Sequence, residues 1–139
     1  MKVYLDTNVL VSAFATRGLC ADVIRLVLSE HELVTGEVNI SELRRVLLKR
    51  FRVPKRTVDA IEDLLRGQTV TVRPEEPLEI PIRDPDDMWV LASAIAGGAD
   101  VLVTEDKDLL EVAKQSPIPI VDARGFWRMV QRTRKKKSR

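Results

Sequence analysis

The chain contains few of the side chains that build covalent crosslinks, zinc sites and nucleophilic triads. Its 139 residues include one cysteine and one histidine. A single cysteine excludes an internal disulfide and suits a reducing compartment, so we expect a cytoplasmic protein. Cys20 lies among apolar neighbours and is expected to be a small buried hydrophobe. His31, in the polar turn SEHE, leaves neither the usual zinc ligand set nor the histidine of a serine triad.

Long apolar runs and phosphate-binding loops are also missing. No stretch approaches the roughly 20 apolar residues of a membrane span, and the apolar start at 3–5 is too short for a signal peptide. Neither GxxxxGK[ST] nor GxGxxG occurs, which excludes the common nucleotide-binding loops. With 45% hydrophobic and 32% charged residues, the composition is that of one ordinary globular domain.

Acidic residues are absent from the C-terminal segment. The net charge of the whole chain is +2, but residues 132–139 (RTRKKKSR) hold six basic residues and no acidic one. Residues 1–131 therefore hold 17 basic and 21 acidic residues, a net charge of −4. We expect 132–139 to be a disordered basic arm, which either contacts nucleic acid or aids solubility.

Strand patterns and helical patterns alternate along the chain. Strands are predicted at 2–5, 32–35, 69–72, 101–103 and 118–121, and helices at 9–14, 21–28, 38–51, 54–65, 84–97, 109–113 and 123–130. Three prolines in 74–81 predict a loop. Strands separated by helices predict parallel pairing through right-handed crossovers. The expected fold is therefore α/β, a three-layer α/β/α sandwich with a central parallel sheet.

Two carboxylates follow predicted strands. Asp6 comes directly after the first strand, and Asp106 follows the strand at 101–103 by three residues. In open parallel sheets the ligand crevice lies beyond the carboxyl ends of the strands. We therefore expect both side chains at that edge.

Two further carboxylates lie on predicted helices. If Asp84 is the N-cap of its helix, Asp87 falls in the first turn, on the face of Leu91, and points inward. Glu42 lies at the margin of the apolar stripe of its helix, one turn from Val46. Both acids are thus placed toward the interior of the fold.

Each acid also has a structural explanation. Asp6, Asp84 and Asp106 can be helix caps, Asp86 and Asp87 suit a helix N-terminus, and Glu42 can be a surface residue. Their convergence argues for more, because carboxylates ~4–8 Å apart repel by roughly 1 kcal/mol per pair or must take up protons. A divalent cation removes that repulsion, and all-oxygen ligands favour Mg²⁺ or Mn²⁺.

The order of these residues resembles that of the PIN-domain ribonucleases, the toxin component of type II toxin–antitoxin (VapBC-like) modules. The resemblance rests on four segments, LDTNVLVSA, SELRRVL, RDPDDMWVLASAIAGGAD and VTEDKDLL, in that order. It implies a PIN-like nuclease domain at 1–131, followed by the basic tail at 132–139.

The resemblance also implies the roles of particular residues. The catalytic and metal-binding acids are Asp6, Glu42, Asp87 and Asp106. Supporting positions are Thr7, Asn8, Thr104, Asp108 and, as the alternate to Asp87, Asp84. Similar chains often have glycine in place of Glu105, so two alternatives stay open: this side chain narrows the site or adds a ligand. Whether one metal ion or two are bound is open as well.

The implied activity is endonucleolytic cleavage of single-stranded RNA with Mg²⁺ or Mn²⁺, and the implied partners are a cognate antitoxin and a second copy of the chain. Segment 44–56 has seven basic residues and no acid. Its residues Arg44, Arg45, Lys49 and Arg52 are candidates for RNA backbone contact. A solvated helix face and a docking site for an acidic antitoxin segment are the alternatives.

Two other function classes compete with the ribonuclease. An aspartyl-phosphate hydrolase often has DxD after its first strand, but the position two after Asp6 is Asn8. A non-enzymatic, PIN-fold module that binds RNA or a protein partner is the other alternative. The presence of all four acids argues against it.

Overall fold

A computed structural model describes residues 1–72 and 85–137 of the chain. The strands are β1 (Lys2–Leu5), β2 (Glu32–Gly36), β3 (Thr69–Thr71), β4 (Val101–Val103) and β5 (Ile120–Val121). The α-helices in this part of the chain are α1 (Thr7–Ala15), α2 (Leu19–Glu30), α3 (Glu37–Lys49), α4 (Lys55–Arg66), α5 (Pro85–Ala96), α6 (Lys107–Glu111) and α7 (Ala123–Lys137). The predicted loop at 74–81 and the predicted cap Asp84 lie outside the described residues.

The five strands form one sheet in the order β3-β2-β1-β4-β5, and all the strand pairs are parallel. Side chains alternate across it. Val3 and Leu5 of β1 enter one apolar cluster, with residues of α1, α2, α3 and α7, whereas Tyr4 enters a second cluster with residues of α5 and α6. Both faces of the sheet are therefore covered by helices, and the predicted α/β/α fold is confirmed.

Three of the observed element boundaries differ from the predicted ones for local reasons. Helix α1 begins at Thr7, two residues before the predicted start, because Asp6 is its N-cap and accepts a hydrogen bond from the Thr7 N–H. Helix α6 begins at Lys107 because Asp106 caps it in the same way, through the Asp108 N–H. Strand β5 begins at Ile120 and not at 118, because the Ser116 hydroxyl bonds to Ile118 in a turn.

The last helix continues past the predicted domain boundary. Phe126 and Val130 of α7 are buried in the core, and the helix runs on to Lys137. Residues 132–137, which we expected in a disordered arm, are therefore helical. No helix in residues 1–72 and 85–137 is long and apolar enough to cross a membrane.

The sheet places several chain segments at one edge. Strands β1 and β4 are neighbours, with Leu5 opposite Val103 in the register. The Asp6 N–H donates to the Val103 carbonyl at 3.0 Å and so extends the ladder by one residue. Helix α3 follows β2 directly at the same edge. The residues just after β1, β2 and β4 thus meet where the parallel strands end.

Candidate active site

Asp6 is the most deeply enclosed acid of this edge, and its side chain is 5% exposed. Its Oδ1 accepts hydrogen bonds from the Thr7 backbone at 2.7 Å and from Asn39 Nδ2 at 3.2 Å. Its Oδ2 accepts from Thr104 Oγ1 at 2.8 Å and from Asn8 Nδ2 at 3.3 Å. Four donors therefore fix the orientation of the carboxylate.

The pKa of Asp6 lies above its usual value. Burial raises it most, and the charges of Asp106 and Glu42 raise it further. The hydrogen bonds from Thr104 and the Thr7 backbone act in the opposite direction without cancelling the shift. Burial and the neighbouring acids together therefore disfavour the charged carboxylate more than its hydrogen-bond donors favour it.

Thr104 links Asp6 to the second strand of the site. Its hydroxyl donates to Asp6 and accepts hydrogen bonds from the Asp106 N–H at 3.0 Å and from Asn8 Nδ2 at 3.3 Å. Asn8 in turn accepts from the Glu105 N–H at 3.0 Å. The residues after β1 and the residues after β4 are thus held together by side chains of both segments.

Asn39 and Tyr4 belong to the same network, and the sequence analysis missed them. Asn39 is 2% exposed and donates to Thr7 Oγ1 at 2.8 Å as well as to Asp6. The fully buried Tyr4 donates its hydroxyl hydrogen to Asn39 Oδ1. One signal was available: Asn39 is a polar residue on the buried stripe of α3, four residues before Leu43.

Gly36 gives these two side chains room to meet. It is the last residue of β2 and the N-cap of α3, with φ −117°, a conformation that any residue adopts. A Cβ atom at this position would lie 2.7 Å from the Tyr4 hydroxyl oxygen and 3.1 Å from Asn39 Oδ1. The absence of a side chain is therefore a steric requirement of the network.

Three aspartates form a close group beside Asp6. Asp87 lies in the first turn of α5 and is 7% exposed, Asp106 is the N-cap of α6, and Asp108 lies in its first turn. One carboxylate oxygen from each lies within 4.8 Å of the others. These oxygens are spaced closely enough to hold one cation between them.

The acids open into one cleft of about 620 Å³. Asp6, Glu42, Asp86, Asp87 and Asp106 are among the residues that line it. The Glu42 side chain is 51% exposed, and its nearest cation, Arg45, is 3.9 Å away. The structure thus brings the four predicted acids to a single cleft, with Asp86 as an addition, although Glu42 stays outside the close group of aspartates.

The four basic residues predicted to contact RNA do not line this cleft. Arg44 bridges α3 to α4, with Asp59 at 2.6 Å and Glu62 at 3.6 Å. Arg45, Lys49 and Arg52 are exposed and are not among the lining residues, although Arg45 lies 3.9 Å from Glu42. Arg50, which was not singled out, does line the cleft, and its guanidinium lies 5.5 Å from the centre of the Phe51 ring.

Glu105 has a structural role that neither alternative anticipated. Its Oε1 accepts a hydrogen bond from the Ala123 N–H at 3.0 Å, at the start of α7. It is not part of the close aspartate group, and it does not line the cleft. The side chain therefore caps the last helix.

The cleft suits a hard divalent cation. Its polar lining is dominated by carboxylate, amide and hydroxyl oxygens, and Arg50 is its one basic side chain within the described residues. Oxygen-only ligand sets select Mg²⁺, Mn²⁺ or Ca²⁺ over zinc. Together with the raised pKa of Asp6, this donor set fits a metal ion held by Asp87, Asp106 and Asp108.

Fold and site together define an α/β domain with an acidic cleft at the carboxyl edge of a parallel sheet. The family model of the PIN domain matches residues 2–108, more than three quarters of the chain. The chain belongs to the PIN domain family. No curated protein sequence matches it.

Solved structures share the fold at low sequence identity. VapBC2 from Rickettsia felis, bound to a DNA fragment from its promoter, has a TM-score of 0.58 and 15% identity, over 88% of this chain and 98% of that one. VapBC-1 from nontypeable Haemophilus influenzae has a TM-score of 0.57 and 21% identity, over 88% and 98%. PAE2754 from Pyrobaculum aerophilum has a TM-score of 0.59 and 19% identity, over 91% and 86%.

Proposed function

We propose that the chain is a Mg²⁺- or Mn²⁺-dependent endoribonuclease that cleaves single-stranded RNA and serves as the toxin of a toxin–antitoxin pair. The observation that carries the proposal is the convergence of five carboxylates on one cleft in a PIN-domain chain. PIN domains are generally nucleases. A dense set of acids is useful in phosphodiester hydrolysis because it can bind a cation, and the cation offsets the charge of the acids and of the phosphate.

The acids divide into two groups by their environment. Asp87, Asp106 and Asp108 are close enough to hold a cation between them, and Asp6 is fixed beside them by its four donors. A divalent ion held there would stabilise the charge of the phosphate and lower the pKa of a water molecule bound to it. Binding the ion is therefore the role that we assign to these aspartates.

Glu42 has a different role in this proposal. It lines the cleft but is half exposed, and it lies outside the close aspartate group. A carboxylate that is not fully engaged is suited to accept a proton from the water whose oxygen bonds to phosphorus. The bond from phosphorus to the leaving ribose oxygen then breaks, and that oxygen takes a proton from solvent. Glu42 is thus our candidate for the general base.

Apolar residues in the lining of the cleft suit the rest of a nucleotide. Val38 and Phe51 are two of the large hydrophobic residues that stay exposed, at 47% and 40%, and both line the cleft. Unstacked bases of single-stranded RNA pack on aromatic side chains and on arginine planes. Phe51 and Arg50 offer both surfaces next to the acids.

The proposed partners follow from the relatives. Two of the similar structures are VapBC complexes, one of them bound to promoter DNA. By analogy we propose that this chain binds a cognate antitoxin in the cytoplasm and forms a homodimer. Copurification with the product of a neighbouring reading frame tests the first proposal, and the mass of the purified protein in solution tests the second.

RNA digestion with and without metal tests the activity. Purified protein is expected to cleave single-stranded RNA with Mg²⁺ or Mn²⁺ and to lose that activity in EDTA. Asp87→Asn and Asp6→Asn are expected to abolish cleavage. Asp63→Asn, the same chemical change at an exposed position on α4, is the matched control and should leave it intact.

Two outcomes would contradict the proposal. Cleavage that persists in EDTA and in both site variants would point to a contaminating nuclease. Folded protein that neither cleaves RNA nor binds Mn²⁺ in calorimetric titration would favour the binding-module alternative. Circular dichroism of each variant shows whether a loss of activity reflects a loss of fold.

A further inference from the structure

Helix α7 is strongly basic. Its residues 123–137 include seven basic side chains and no acidic one. Outside α7, 16 basic residues stand against 21 acidic ones. The fold is thus a net negative body with one strongly positive helix. This helix also lies beyond residues 2–108, which the family model matches.

Four of the seven basic residues of α7 lie on one face. Arg124, Arg128, Arg132 and Lys135 follow one another at spacings of four, four and three residues, and all four are exposed; we call them the basic stripe. Buried residues of α7 include Ala123, Phe126 and Val130, on the opposite side. The stripe therefore points directly away from the core over about 16 Å of helix.

The basic stripe is not used to stabilise the fold. In residues 1–72 and 85–137, Arg134 of α7 pairs with Glu30. No ion pair in these residues involves a member of the stripe. By contrast, Arg44 and Arg66 both pair with acids of neighbouring turns or helices.

The arrangement of the stripe carries an energetic cost. Like charges four residues apart destabilise a helix by roughly 0.2–0.5 kcal/mol per pair. Arg124 also places a cation in the first turn of α7, where the helix dipole disfavours positive charge. A row of charges that weakens its own helix and pairs with no acid in the described part of the chain is suited to an external polyanion.

We propose that the basic stripe binds the phosphate backbone of single-stranded RNA that extends beyond the catalytic cleft. This inference rests on the proposed function and adds to it a second contact surface for the same substrate. Helix α7 starts at the carboxyl edge of the sheet, where Glu105, one residue before Asp106, caps it. A membrane surface is not favoured, because interfacial helices insert an apolar face, and that face of α7 is buried in the core.

The salt dependence of RNA binding tests the stripe. For single strands, the slope of log K against log salt concentration changes by about 0.7 for each phosphate contact that is lost. The variant R124Q/R128Q/R132Q is expected to lower the magnitude of the slope by about 2 for a fluorescent uridine oligonucleotide. Measurement in EDTA keeps the RNA intact, so that binding is read without cleavage.

Two further variants separate position from net charge. K2Q/R17Q/K114Q removes the same charge from exposed residues of other elements and should keep the wild-type slope. R124K/R128K/R132K keeps the charge and should also keep it. Thermal denaturation should show the triple glutamine variant to be at least as stable as the wild type, because the stripe costs stability.

Three outcomes would overturn the inference, and a fourth would overturn the proposed function alone. Equal loss of slope in both glutamine variants would show a general charge effect, and an unchanged slope in the stripe variant would show no contact. Normal RNA binding with loss of an acidic protein partner would assign the stripe to that partner. Failure of the wild type to cleave RNA, with a stripe-dependent slope still measured, would overturn the proposed function and leave the stripe as an RNA-binding surface.

Discussion

Replacing Tyr4 with phenylalanine tests whether the buried network at Asp6 is energetically important. The change keeps the buried ring and removes one hydroxyl, which donates to Asn39 Oδ1. Burial and the charge of Asp6 raise the pKa of Tyr4, so the phenol stays protonated and acts as a donor. In Tyr4→Phe, Asn39 keeps a carbonyl oxygen that is buried and has lost this donor.

The expected cost follows from that burial. Leaving a buried polar group without its partner costs roughly 1–3 kcal/mol, and Asn39 is 2% exposed. For a chain of this size, about 3 °C of melting temperature corresponds to 1 kcal/mol, so the midpoint should fall by roughly 3–9 °C. Without the phenol, the Asn39 amide is also free to turn its oxygen toward Asp6, so Mn²⁺ affinity should fall.

Differential scanning calorimetry and Mn²⁺ titration measure the two effects. Thr133→Val is the matched control, because it removes a hydroxyl that bonds to the Met129 carbonyl at an exposed position. We expect less than 0.5 kcal/mol from it. Asn39→Ala and the double variant complete a cycle, in which the two sites should couple by about 1 kcal/mol or more. A Tyr4→Phe protein as stable as the control, with unchanged Mn²⁺ affinity, would refute the reasoning.

Three further predictions concern other parts of the molecule. Glu105→Ala should lower the free energy of unfolding by about 1 kcal/mol, because the Ala123 N–H loses its acceptor, and RNA cleavage should be kept. Glu105→Gln should retain most of the stability in chemical denaturation. Arg44→Met should leave the rate of RNA cleavage unchanged, because Arg44 is engaged with Asp59; a large loss in the digestion assay would restore it as an RNA contact. In EDTA, Asp6 should keep its proton to a higher pH in the folded protein than in the unfolded chain, where its pKa is near 3.8. Its contribution to stability is therefore present at low pH and is lost as the pH rises through the raised pKa of the folded state. The melting temperature of the wild type should carry this loss of stability as the pH rises, and that of Asp6→Asn should not. Adding Mn²⁺ at neutral pH should raise the melting temperature of the wild type again.

The sequence was most informative where burial and local chemistry act together. The apolar strands at 2–5 and 101–103 were predicted with their observed bounds, since each short apolar run is followed directly by a polar residue. The helical period also predicted that Asp87 points inward, and it is buried. These features depend on residues a few positions apart, and a sequence displays such relations directly.

Features that depend on distant residues could not be read in this way. Tyr4 and Asn39 are 35 positions apart, and Glu105 and Ala123 are 18 apart. Nothing in the local pattern tells which buried hydroxyl meets which amide. The prediction of disorder at 132–137 was wrong for a related reason. The composition of this segment suggests disorder, but the helix is anchored by the buried Phe126 and Val130 earlier in α7.

Gly36 shows how a local rule of stability is overridden by the site. Helix α3 starts without a side-chain cap, and a serine or aspartate at an N-cap normally stabilises a helix by a few tenths of a kcal/mol relative to glycine. The space for that side chain is occupied by the hydroxyl of Tyr4 and the amide of Asn39. A search for stabilising substitutions by helix rules alone would choose this position, and the improved helix would displace the side chains that orient the buried aspartate.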